Sequence, residues 1–288
     1  MKETKWHLKF ELANLEKGLL KMDYVNEFVK KYDLFKDNEI QCIQLKHRYA
    51  LCNVFGIQEG MRVLEIGCGQ GDTTVVLADL VGESGHVVAL DIAPGDYGAP
   101  WTLQMAHDTI QQSPLGKRIS FHLETDFLDF QVDEPFDVVV FSHSSWYFQY
   151  EHVLLEYLKR MKEIAKRVCW AEWDLHQTLL SQKAHFYAVS ILALRSAFEK
   201  NDSNIQRLWS KGRIKKMAES MGWQTQTEQI VDASYLQDGG WEVAYANEVR
   251  SQFLNMPAAI QVIVQGYYEL MNEEQEVNSL NSFVYVFE

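Results

Sequence analysis

Arg62-Val-Leu-Glu-Ile-Gly-Cys-Gly-Gln-Gly-Asp-Thr-Thr74 carries a short apolar run into three glycines spaced two apart, and the reading of that junction decides the fold. Arg62 to Ile66 has the length and composition of a buried strand, and helical periodicity begins just beyond Gly71 and runs from Asp72 to Val81. Glycine tolerates backbone conformations closed to other residues and lets a ligand approach the main chain. A strand-to-helix turn of this kind is therefore a place where a sizeable ligand can sit.

The same alternation continues outward from this junction. Short apolar runs at His86 to Asp91, Ile119 to Glu124, Phe136 to Ser142, Arg167 to Trp173, Gln224 to Val231 and Ser282 to Phe287 read as further strands. Helices are expected at Pro100 to Gln112, with proline in the first turn, at Glu151 to Ala165 and at Leu208 to Met221. Strands and helices in alternation are the sequence form of an α/β fold with a buried, mostly parallel sheet. Residues 1–60 read instead as an N-terminal helical cap: Leu8, Leu12, Leu15, Leu19 and Met22 recur at helical spacing, and a second run covers Ile40 to Phe55. Residues 61–288 form the sheet domain, with helical insertions expected at 176–206, after the fifth strand, and at 242–272, after the sixth.

The chain has 288 residues, 47% of them apolar, enough to bury one large core. Its 27 basic and 40 acidic residues give a net charge of −13, which repels a phosphate backbone, so nucleic acid is not an expected partner. Cys42, Cys52, Cys68 and Cys169 show neither zinc spacing nor disulfide density and suit a reducing compartment. No apolar run resembles a signal peptide or reaches the length of a membrane span, so a cytoplasmic protein that does not engage the membrane is expected. No ligand set for a metal is apparent.

The glycine turn also narrows the ligand. A dinucleotide fingerprint would place its third glycine at position 72, where Asp72 would oppose a pyrophosphate. The pattern suits an adenosine without phosphates, bearing a cationic sulfonium and an amino-acid tail whose ammonium group Glu65 and Asp72 can hold. Gly67, Cys68, Gly69, Gly71 and Thr73 would surround that tail. Asp91 ends the second strand and can accept from both ribose hydroxyls, with Ile92 against the adenine. Asp126 can accept from the adenine amino group, Phe127 can flank its ring, and Ser142 and His143 close the set from the fourth strand.

On these residues, above all Val63-Leu-Glu-Ile-Gly-Cys-Gly-Gln-Gly71, the chain resembles the class I S-adenosylmethionine-dependent methyltransferases over roughly residues 40 to 175. The resemblance implies a Rossmann-like doubly wound sheet of seven strands with an antiparallel last strand. It also implies S-adenosyl-L-methionine as methyl donor and S-adenosyl-L-homocysteine as product. No Asn-Pro-Pro-aromatic or Asp-Pro-Pro-aromatic tetrapeptide follows the fourth strand, which counts against methylation of nucleic-acid bases.

In an open sheet the acceptor should lie beyond the carboxyl ends of the fourth and fifth strands. There stand Ser142-His-Ser-Ser-Trp-Tyr-Phe148 and Ala171-Glu-Trp-Asp-Leu-His176. His143 is the candidate general base, with a donor-pocket or structural role as its alternative. Trp146 and Tyr147 read as acceptor-pocket walls or as core. Glu172, Trp173, Asp174 and His176 read as a site for a cationic acceptor or as a strand end followed by a helix cap. His47 and Arg48, on the helix before the first strand, and Tyr24 could reach over the site from the cap, with a solvated helical face as the alternative for the first two. The expected reaction is metal-independent methyl transfer to an oxygen or nitrogen of a small metabolite or natural product. Methylation of a protein or peptide, and a catalytically inactive donor-binding sensor or partner subunit, are the competing readings. The aromatic insertions could close a lid or bury a homodimer contact.

Overall fold

The computed structural model describes residues 24–201 and 203–288; the helix expected on Leu8 to Met22 lies outside them. Residues 24–32 are helical (α1), and the chain continues through α2 (Glu39–Phe55), β1 (Arg62–Ile66), α3 (Asp72–Leu80), β2 (His86–Leu90), α4 (Leu103–Gln112) and β3 (Ile119–His122). It then runs through β4 (Phe136–Ser142), α5 (Glu151–Ile164), β5 (Ala165–Trp173), α6 (Lys183–Phe198), α7 (Lys211–Ser220), β6 (Thr225–Val231), α8 (Asp238–Glu248), α9 (Ala258–Glu273) and β7 (Ser282–Phe287). The seven strands lie in the order β3-β2-β1-β4-β5-β7-β6. The first five are mutually parallel, and β7 runs antiparallel to both β5 and β6. This is the Rossmann-like arrangement that the resemblance implied.

Period-two alternation sends the two faces of the sheet to different cores. Leu64, Ile66, Val139, Phe141, Val168, Trp170, Phe283, Tyr285 and Phe287 face one side, where they meet α5, α6, α7, α8 and α9. The smaller Val63, Val138, Val140, Cys169, Ala171, Val284 and Val286 face the other, under α1, α2 and α3. Phe141 stacks on Trp170 across neighbouring strands at 4.4 Å. Asp79 of α3 anchors the helices before the sheet, accepting from Tyr32 Oη at 2.5 Å, Tyr49 Oη at 2.6 Å and Lys31 Nζ at 2.9 Å.

Several expected boundaries shift for local reasons. Helix α4 starts at Leu103, three residues after Pro100, because the Thr102 hydroxyl accepts the Met105 N–H and caps it there. The helix expected over 242–272 is two, α8 and α9, separated by a 3-10 segment at Val249–Asn255 and by Pro257, which has no N–H to continue the ladder. Helices α6, α8 and α9 pack on one another. Among the described residues no helix is long and apolar enough to cross a membrane.

Candidate active site

A cavity of about 450 Å³ opens at the carboxyl ends of β1, β2 and β4. The turn after β1 forms its floor. Gly67 and Gly71 adopt φ of +75° and +94°, and a Cβ on Gly67 would come within 2.5 Å of Ser144 Cβ. The turn is tied to the next strand, since Gly67 N and Cys68 N both donate to the Leu90 carbonyl. Asp91 secures it from the other side: one carboxylate oxygen accepts from Gly69 N at 2.8 Å and the other from Ala93 N at 2.9 Å. Each oxygen keeps a lone pair for a hydroxyl in the cavity. His107 of α4, which the sequence did not single out, donates from Nε2 to the Gly69 carbonyl at 2.7 Å and stacks on Phe121.

Of the residues singled out in the sequence, Glu65, Gly67, Cys68, Gly69, Thr73, Asp91, Ile92, Phe127, Ser142, His143 and Tyr147 line this cavity. Ile92 is 67% exposed at its mouth, an apolar surface ready to cover a flat ring. Gly71 lies behind the lining, where a Cβ would meet Ile110 Cδ1 at 2.7 Å. Asp126 is turned away: its Oδ1 accepts from Leu128 N and from Tyr157 Oη, each at 2.8 Å, and Thr125 and Tyr157 face the cavity in its place.

The amino-acid end of the cavity is strongly charged. Glu65 is fully buried, its Oε2 accepting from Thr74 Oγ1 at 2.5 Å, and burial pushes its carboxyl up to about 8 against the opposing pull of Thr74 and Arg48. Burial likewise raises Asp72 above the usual carboxylate range. Arg48 of α2 faces both. Its Nη2 reaches only Gln44 Oε1 at 3.4 Å, and its Nε and Nη1 are buried with no hydrogen-bond partner among the described residues. A guanidinium with two nitrogens unpartnered, beside carboxyl groups that no cation pairs among the described residues, suits a zwitterion.

Of the two α2 residues that could reach over the site, Arg48 lines the cavity and His47 does not. His47, one helical step of about 100° away, is fully buried, with Nε2 3.0 Å from Ser282 Oγ, and burial holds its pKa well below the usual imidazole value. Tyr24 is 54% exposed on α1 and is not among the residues lining the cavity.

On the far wall, His143 has left-handed backbone (φ +54°) and turns both ring nitrogens to the protein, Nε2 toward Ser282 Oγ at 3.1 Å and Nδ1 toward Glu172 Oε1 at 3.3 Å. Trp173 packs at a tilt against the His143 ring, centroids 4.3 Å apart, and stands outside the cavity lining. Trp146 is core, its indole N–H donated to the Trp209 carbonyl at 3.3 Å. Asp174, the other carboxylate of that stretch, pairs with Lys211 at 2.8 Å. Among the described residues no three His, Cys, Asp or Glu side chains converge as a metal site.

The comparisons with known proteins agree with this geometry. Residues 57–229 match the family described as "Methyltransferase domain". A solved structure of a cyclopropane-fatty-acyl-phospholipid synthase-like protein from Lactobacillus casei ATCC 334 is 34% identical, with a TM-score of 0.83 over 93% of this chain and 98% of that one. Methyltransferase phomM of Diaporthe leptostromiformis is 27% identical over 243 residues, which cover 68% of this chain and 63% of the relative, so this chain spans less than two thirds of that protein's length. The ubiquinone/menaquinone biosynthesis C-methyltransferase UbiE of Teredinibacter turnerae is 26% identical over 208 residues, covering 71% of this chain and 81% of the relative. With its glycine turn, its carboxylate after β2 and its antiparallel last strand, the chain belongs to the class I S-adenosylmethionine-dependent methyltransferases.

Proposed function

We propose that the protein transfers a methyl group from S-adenosyl-L-methionine to an oxygen or nitrogen of a small metabolite or natural product. The observation that carries this reading is the Arg48 guanidinium, with Nε and Nη1 unpartnered among the described residues, facing Glu65 and Asp72, whose carboxyl pKa values burial raises, across the glycine turn. That arrangement suits the carboxylate and ammonium of an amino-acid tail. Asp91 would hold the ribose, and Ile92, Thr125 and Phe127 would enclose the adenine. Bound there, the donor supplies an electrophilic methyl group.

The chain's own contribution is alignment. Holding two reactants in line replaces a chance encounter with an intramolecular displacement, which lowers the barrier without a covalent intermediate. The cavity volume is in the range of small-ligand sites, and Tyr147 and Phe148 narrow it on the acceptor side, which supports a compact acceptor over a folded protein. Because both nitrogens of His143 already face protein groups, it forms part of the wall, and an acceptor that arrives with its lone pair free needs no base from it. The helices α6, α8 and α9 would cover the acceptor as an insertion, with α1 and α2 as the N-terminal cap. Calorimetric titration with S-adenosylhomocysteine tests the donor site; release of that product across hydroxyl, amine and carbon acceptors tests the transfer. No binding, and no product with any acceptor, would sink the reading.

A further inference from the structure

The buried carboxylate of Glu172 has no place in the reaction described above, yet it accepts four hydrogen bonds. It lies on β5, is 1% exposed and is not part of the cavity lining. Its Oε2 accepts from Ser145 Oγ at 2.8 Å, Ser145 N at 3.1 Å and Trp146 N at 3.3 Å; its Oε1 accepts from Trp173 N at 3.0 Å. His143 Nδ1 is buried and stands 3.3 Å from Oε1, a close approach without hydrogen-bond geometry, and it has no hydrogen-bond partner among the described residues. Ser145 Oγ in turn accepts from Trp170 Nε1 at 3.2 Å. Only a group that accepts at both oxygens and donates at neither satisfies this set.

All of these donors but Trp173 N and Trp170 Nε1 belong to one turn, His143 to Trp146, directly after β4. The same turn carries three cavity-lining residues, His143, Ser144 and Tyr147, and Ser144 Oγ fastens it to the Ile66 carbonyl at 2.8 Å, at the start of the glycine turn. We propose that Glu172 is the positioning residue of the acceptor-side wall: it holds the turn after β4 in its strained conformation and fixes His143 as the tautomer protonated on Nδ1.

The tautomer follows from donor counting. A bare Nδ1 lone pair facing a carboxylate oxygen would be repelled, so Nδ1 carries the proton. Nε2 of the neutral ring then accepts the Ser282 hydroxyl hydrogen. Ser282 Oγ also lies 3.0 Å from Nε2 of His47, whose pKa burial holds well below the usual imidazole value.

This inference rests on the proposed function only in taking the cavity as the reaction chamber, and its test needs no ligand. Protein labelled with 15N-histidine is measured by long-range proton–nitrogen correlation, with the His143 signals assigned by their loss in His143→Asn. The expected wild-type result is a proton on Nδ1. Ser282→Ala should keep it there, because Glu172 remains. Glu172→Gln places an N–H against the N–H groups of Trp173 or Ser145, and should move the His143 proton wholly or partly to Nε2 while weakening S-adenosylhomocysteine binding by about tenfold. A wild-type His143 protonated on Nε2 overturns the proposal. So does a folded Glu172→Gln protein that keeps the wild-type tautomer. If Glu172→Gln fails to fold, the wild-type and Ser282→Ala spectra still decide. If the labelled protein binds no S-adenosylhomocysteine at all, the proposed function falls and the tautomer result stands on its own.

Discussion

The two halves of the cavity are built in different ways. The half around the glycine turn is mostly backbone: three glycines at positive φ, amide groups donated to Leu90 and Asp91, and a carboxylate just past the end of β2. Apart from Arg48, which reaches it from α2, it comes from residues close to the strands that carry it. The opposite wall is mostly side chains drawn from distant parts of the chain, Tyr147 from the turn after β4, backed by Glu172 from β5 and Ser282 from β7. A site made from main chain must leave its mark on local sequence, because few residues tolerate the conformation. A site made from converging side chains leaves no local mark. That contrast also ranks how hard each part is to disturb.

The largest effect should come from Asp91, where the two halves share a support. Asp91→Ala strands the N–H groups of Gly69 and Ala93 and removes the acceptor for the ribose. Charge-assisted hydrogen bonds of this kind contribute roughly 1.5–3 kcal/mol each, so S-adenosylhomocysteine affinity should fall about 100-fold by calorimetry. A loss below threefold would mean that the ribose lies elsewhere.

Arg48 is the distant side chain that reaches the backbone half. Arg48→Met keeps most of the packing of the aliphatic stem but removes the guanidinium, and should weaken S-adenosylhomocysteine about tenfold, or about 1.4 kcal/mol. Because Nε and Nη1 have no protein partner among the described residues, thermal stability should not fall; removing an unpaired buried charge can raise it. A lower melting temperature with unchanged affinity would make Arg48 a structural residue.

Glu65 gives a smaller effect with a sign that can be worked out. Burial pushes its carboxyl up to about 8 in the folded protein, from the ordinary 4.5 of a free side chain. A group raised in this way contributes stability that is fully present below the unfolded value and is lost as pH rises through about 8. If the tail's ammonium pairs with the carboxylate, binding must release that proton. Affinity for S-adenosylhomocysteine should then rise severalfold between pH 6 and about 8, and calorimetry in buffers of different ionisation enthalpy should detect the proton. Glu65→Gln should flatten the profile. A flat wild-type profile would place the ammonium elsewhere.

Legibility follows the same division. The strands, the glycine turn and the position of Glu65, Asp91 and Ile92 at strand ends could be read from consecutive residues, whereas the sheet order came only from the resemblance. The choice between His47 and Arg48 could not: both sit on one helix, and a single step of rotation sends one into the core against Ser282 and the other into the cavity. Trp146 and Tyr147 repeat the lesson within a 3-10 turn, one buried against Trp209 and the other open. Glu172 looked like a ligand group for a cation because it stands at a strand end beside tryptophan, and only the fold shows its oxygens already taken. His107 had no signal at all, since nothing in α4 announces a hydrogen bond to Gly69.

The smallest effect is expected at Asp126, where the sequence pattern and the structure pull apart most finely. The pattern after β3 assigns its carboxylate to the adenine amino group. The structure spends Oδ1 on Leu128 N and Tyr157 Oη and keeps the residue off the cavity wall. Asp126→Asn retains an oxygen that can accept both bonds, so S-adenosylhomocysteine affinity should change less than about twofold. A tenfold loss would return the adenine to Asp126, provided that an analogue lacking the 6-amino group is unaffected by the same substitution. If both ligands weaken equally, the loss reflects a loosened Tyr157, since that ring faces the cavity whether or not the base is read.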